Sequence, residues 1–202
     1  MEITLNKYTG AAYLNLLRQT LLCRIPVTRP VAFRVGSSNV IDLGDLVEED
    51  TSEFISNVSS SSFVMSGREE FYVWSGSVSS VLSFSTRAVF GDVTVLHTGV
   101  KDVLHVLAPT TVEIYFRKGC GKFTSQENEA FLKKHGVNTD TVITVNTRHC
   151  AVKLFSFKEK MRVGNDIVYD LGIVPENGDT EENLLKKAID IITVDFVAVT
   201  AM

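Results

Sequence analysis

Apolar residues recur at two different periods along the chain, and the change of period divides it. Over residues 8–25, Tyr13, Leu14, Leu17, Leu21 and Leu22 fall mostly three and four positions apart, the spacing that lines one face of a helix. Thr9 is placed to cap this helix. Pro26 ends it, because the residue before a proline is driven out of helical geometry. A second helical pattern closes the chain. Asp179 with Glu182 reads as an acidic capping box, followed by Leu184, Leu185, Ala188, Ile189 and Ile192. From Thr193 onward, β-branched residues leave the end of that helix open.

Between these segments the pattern shortens to β-type stretches rich in valine, phenylalanine and serine. Strands are predicted at Val31–Val35, Phe71–Trp74, Val78–Phe84, Val93–His97, Val103–Leu107 and Val112–Phe116, with Gly76, Gly91, Gly99 and Pro109 as punctuation. The serines at 59–62 and onward are interleaved with Phe63, Val64, Val81 and Phe84, too apolar for a disordered linker. A short helix is predicted over Gln126–His135 and a strand over Val142–Val145. Two further strands, Val152–Lys158 and Ile167–Val174, are joined by a polar stretch. The fold class expected is α+β. Two amphipathic helices near the ends enclose a β-rich middle, so the termini either form one domain with the middle inserted into it or pack on the sheet as a single unit.

Composition narrows the function. The 202 residues carry 20 Lys and Arg against 24 Asp and Glu, a net charge of −4 that gives no overall attraction to phosphate. Direct, specific DNA binding is therefore not expected. Arg117, Lys118 and Lys122 form a local basic cluster, read as exposed loop charge. Apolar runs fall short of the ~18 residues of a membrane helix. The amino terminus lacks a basic and apolar leader, so a cytoplasmic location is expected. Cys23, Cys120 and Cys150 are too few and too scattered for a disulfide framework.

Residues that carry chemistry do not converge in sequence. Gly119-Cys120-Gly121 lacks the third glycine and the lysine of a phosphate loop and reads as a turn. The cysteines and His97, His105, His135 and His149 show no metal-ligand spacing. His149 and Cys150 are adjacent, which on a strand points them to opposite faces, poorly placed for a thiolate–imidazole pair. Glu48-Glu49-Asp50 precedes Phe54 and Ile55 and reads as the acidic first turn of a helix. No metal and no cofactor is expected, and catalysis in this chain is not.

One resemblance changes the picture. Asn15-Leu16-Leu17-Arg18-Gln19-Thr20-Leu21-Leu22-Cys23-Arg24-Ile25-Pro26 resembles the signature helix of RNA polymerase alpha subunits, N-A-L-R-R-x-L-L-S-S-I-P. Glu49 to Asn57 is similar to the family's E-D-V-T-E-I-I-L-N, and Gly91-Asp92-Val93-Thr94 to its G-x-V-T turn. Ile114 to Asn128 resembles V-E-R-G-R-G-Y-V-x-A-E-E-N, and Cys150 to Phe157 resembles S-P-V-K-R-V-N-F. Arg162-Val163-Gly164 and Tyr169-Asp170 continue in the same order. Gln19 replaces the family's second arginine, and Arg24 and Leu154 also depart from its pattern. The resemblance does not reach the family's mobile carboxy-terminal DNA-binding domain.

The resemblance implies a dimerisation domain over residues 1–26 and 150–202 and an inserted β-rich domain over 27–149. It implies a non-catalytic subunit of a DNA-directed RNA polymerase, paired as a homodimer or with an alpha-like chain. Asn15, Arg18, Gln19, Leu22 and Arg87 would contact the beta-like subunit and Lys153 the beta-prime-like subunit. Leu14, Leu17, Leu21, Leu185, Ile189 and Ile192 would form the dimer interface. The source implied is a bacterium or an infecting virus, with a plastid as a further setting. The alternatives are an interaction module unrelated to transcription and a small enzyme using His149 or Cys150.

Overall fold

The computed structural model describes residues 1–36, 46–176 and 178–200; for residues 97 and 196–200 it describes the backbone alone. In chain order the elements are β1 (Glu2–Asn6), α1 (Gly10–Cys23), β2 (Val27–Val35), α2 (Thr51–Ser59), β3 (Ser62–Met65), β4 (Phe71–Val78) and β5 (Val81–Ser83). There follow β6 (Val89–Phe90), β7 (Val93–His97), β8 (Asp102–His105), β9 (Thr110–Gly119), β10 (Gly121–Phe123) and α3 (Ser125–Lys134). The chain ends with β11 (Ile143–Thr144), β12 (Thr147–His149), β13 (Val152–Val163), β14 (Asp166–Pro175) and α4 (Glu181–Thr200). The fold is α+β, and among the described residues every strand pairing is antiparallel.

Contacts divide the chain into two compact units. The first comprises Met1–Pro26 with Cys150–Met202, the second Val27–His149. In the first unit a three-stranded sheet, ordered β1-β14-β13, is packed by α1 and α4. One face of β14 carries Ile167, Leu171 and Ile173, all buried. Leu14, Leu17, Leu21 and Ile25 from the α1 segment and Leu184, Ala188 and Ile192 from α4 are the buried helix side chains of this unit. Phe155 joins them from β13 through its register with Ile173.

In the second unit the main sheet is ordered β4-β9-β2-β3-β7-β6, with β11 on β2. Phe33, Val112, Ile114 and Phe116 face a large core that includes Phe54 and Val58 of α2. Ala32 and Tyr115 face a smaller one with Leu132 of α3. Because β2 and β9 are covered on both sides, they read as continuous apolar runs rather than alternating ones. Pro30 sits inside β2, where a proline removes a ladder donor. The register with β9 shifts between Pro30 and Ala32, a bulge that absorbs the missing N–H.

Two helix starts differ from expectation. Thr9 occupies the cap position of α1, but its side chain makes no capping bond. At α4 the Thr180 hydroxyl, not Asp179, accepts the Asn183 N–H at 3.2 Å. Asp179 instead takes the Lys187 ammonium at 2.6 Å and the Asn183 amide at 2.5 Å. Asp179 Oδ1 also accepts the Thr180 N–H at 3.0 Å.

Candidate protein-docking surfaces

Helix α1 is two-faced because its leucines are. Leu14, Leu17 and Leu21 are fully buried, while Asn15, Arg18 and Gln19 are exposed and Leu22 half-buried. Positions 15, 18, 19 and 22 stand three and four apart and so form one stripe along the outer face. Four of the five residues expected to contact the beta-like subunit thus share one helix face, with polar, charged and apolar members; Arg87 belongs to the second unit. Just past the end of α1, Arg24 pairs with Asp195 of α4 at 2.6 Å. That guanidinium holds the Asp195 carboxyl below its ordinary range.

Of the six apolar residues expected at a dimer interface, four are buried within the chain itself. Leu14, Leu17, Leu21 and Ile192 are enclosed within their own chain and offer no surface to a second one. A leucine stripe on a short helix covers its own sheet first, since that burial is what holds the helix. Leu185 and Ile189 are half-buried. With Met1, Glu182, Lys186 and Asp190 they line a groove of about 280 Å³ on α4.

Lys153 is exposed near the start of β13, where the register with β14 shifts between Val152 and Leu154. Next to it Leu154 and Val174 are paired across the strands and remain 56% and 45% exposed. This apolar pair beside a lysine was not singled out from the sequence. The signal was present in the alternation of β13 and β14, whose inner face carries Phe155 and Ile173.

In the second unit, Arg87 is exposed and has φ 71°, the left-handed region, where it is the one non-glycine among the described residues. Its N–H donates to Val95 O at 2.8 Å, which holds the turn before β6. The acidic run also resolves into separate parts. Asp50 caps α2 by accepting the Glu53 N–H at 2.7 Å. Glu49 turns inward, 7% exposed, and takes both the ring and the backbone N–H of His105.

The two residues of the enzyme alternative, His149 and Cys150, are both buried. His149 is fully buried; its Nε2–H donates to Arg117 O at 3.1 Å. Burial, with Arg117 and Arg29 nearby, lowers its pKa to about 4. Cys150 is buried, with its thiol 3.0 Å from the carbonyl oxygens of Leu22 and Val152. Among the described residues no three His, Cys, Asp or Glu side chains converge as a metal site. None of the described helices is long and apolar enough to cross a membrane. No protein-family profile matches the chain, and no curated protein matches it.

Proposed function

We propose that the chain is the alpha-like assembly subunit of a multisubunit DNA-dependent RNA polymerase. It dimerises, with itself or with a related chain, and serves as the platform on which the beta-like and beta-prime-like subunits dock. The observation that carries this reading is the exposed stripe of Asn15, Arg18, Gln19 and Leu22 on α1, set against a leucine stripe committed to the core. The order of the resembling segments from residue 15 to residue 170 supports it further. A chain of this kind needs docking surfaces rather than an active site, and its polar stripes, apolar strand pair and α4 groove suit that role. Leu185 and Ile189 are the apolar centre available for pairing.

The test is binding of candidate large subunits to the immobilised chain, compared with Arg18→Glu and Lys153→Glu. Loss of one large subunit in each variant, with folding unchanged, is the expected result. Retention of both subunits at wild-type affinity in both variants would count against the assignment.

A further inference from the structure

Strand β13 is an edge. The sheet of the first unit is ordered β1-β14-β13, and among the described residues β13 pairs with β14 alone. An edge strand presents a row of unpaired backbone N–H and C=O groups on its open side, able to pair with another extended chain. The register with β14 shifts between Val152 and Leu154 and again between Glu159 and Met161, while residues 154–159 run in unbroken register. No hydrogen bond ties the backbone of that stretch to any other described segment.

Two large apolar residues of the stretch are left exposed, and they point to opposite faces. Leu154, paired with the exposed Val174, is on the outer face with Ser156 and Lys158. Phe157, paired with the buried Leu171, is on the helix-covered face, yet it is 44% exposed, its ring edge-on to that of Tyr169. A layer laid on either face would cover only one of them. A strand added alongside, about 4.8 Å away, would flank both.

Charge selects the occupant. Strand β13 carries Lys153, Lys158, Lys160 and Arg162 against Glu159 alone. Lys160 pairs with Glu2, and Arg162 with Glu159 at 2.6 Å. Among the described residues no ion pair engages Lys153 or Lys158. A second copy laid antiparallel on this edge would set the positive excess against itself, which is unfavourable. An acidic segment meets it with the opposite sign. We propose that an extended acidic segment of a partner protein adds to this three-stranded sheet alongside residues 154–159 of β13, with a carboxylate beside Lys158 on the outer face and an apolar side chain beside Phe157 on the other. Main-chain bonds supply the affinity and alternate side chains the selectivity. The inference stands on the edge itself and not on the polymerase reading, so it can fail while large subunits are still recovered, or hold when they are not.

The test uses the full chain and a short fluorescein-labelled peptide of alternating Glu and Val, followed by anisotropy. Saturable binding is expected, weakened about tenfold or more when Lys replaces Glu in the peptide and about threefold by Lys158→Gln in the chain. Methylating one alternate set of peptide backbone nitrogens is expected to abolish binding and methylating the other set to leave it, because only one set of N–H groups faces β13. Lys158 is exposed, so its variant is expected to keep the wild-type unfolding temperature. Absence of saturable binding, equal affinity of the two methylated peptides, unchanged affinity in Lys158→Gln, or equally tight binding by a peptide with the sequence of β13 itself would overturn the proposal.

Discussion

His105 Nδ1 lies 2.5 Å from Glu49 Oε1, and the His105 backbone N–H donates to Oε2 of the same carboxylate at 2.8 Å. The pair ties the segment before α2 to β8, and each partner shifts the other. The bond to Glu49 raises the His105 pKa. Burial pushes the Glu49 carboxyl up, but the bonds from His105 outweigh it and hold it below the ordinary range. The histidine's contribution is present below its unfolded pKa of about 6.5 and is lost as pH rises through the raised folded value. The carboxylate's contribution is lost as pH falls through its depressed folded value. Glu49→Gln is therefore expected to lower the unfolding temperature most in mildly acid solution, measured by thermal denaturation across pH. An equal loss at every pH would contradict this.

His149 gives the opposite slope. With a folded pKa near 4, its ring is neutral in the native state and charged in the unfolded one between those two values. Stability is expected to fall as pH drops from about 6.5 toward 4, by at most about 3 kcal/mol from this group. Ring nitrogen NMR checks it directly: the resonances should stay those of a neutral imidazole at pH 5.5. Titration near 6.5 would mean that the ring is not enclosed.

On the proposed function, the two faces of α1 are expected to separate stability from docking. Leu17→Ala is expected to cost about 2–5 kcal/mol in denaturant unfolding, because a fully buried leucine leaves a cavity. Arg18→Ala, on the exposed stripe, is expected to change stability by less than about 0.5 kcal/mol while weakening partner binding. A large stability loss in Arg18→Ala would remove it from the docking surface.

Arg87 holds a conformation that suits glycine. Arg87→Gly is expected to raise stability by up to about 1 kcal/mol while reducing affinity for the large partner. Loss of stability would show that the side chain, not the docking surface, is what keeps arginine there.

Thr124 and Glu127 form a complete capping box at α3. Thr124→Ala is expected to cost about 0.5–2 kcal/mol, read from denaturant midpoints. An unchanged midpoint would show that α3 is held by Leu132 and Phe131 alone.

Much of this architecture was legible in the pattern of apolar positions. Both end helices follow from their leucine spacing, and most of the predicted strands fall within observed ones. Strand β4 was cut short because Gly76 reads as punctuation, yet the strand runs through it, with the Trp74 ring lying where a side chain would stand. Strand β2 starts at Val27, ahead of the predicted Val31, and carries Pro30 next to a register shift with β9. Strand β1 was missed, since Glu2–Asn6 is too short to show a face without β14 beside it. The polar stripe on α1 is visible once its helix is drawn. The Glu49–His105 pair and the open edge of β13 are not, because each depends on which strands become neighbours.

The assembly role is tested most directly by affinity purification of the tagged chain from its native source, with mass spectrometry of what accompanies it. Stoichiometric recovery of two very large subunits together with RNA synthesis activity is the predicted result. A chain recovered alone, or with partners unrelated to RNA synthesis, would contradict it.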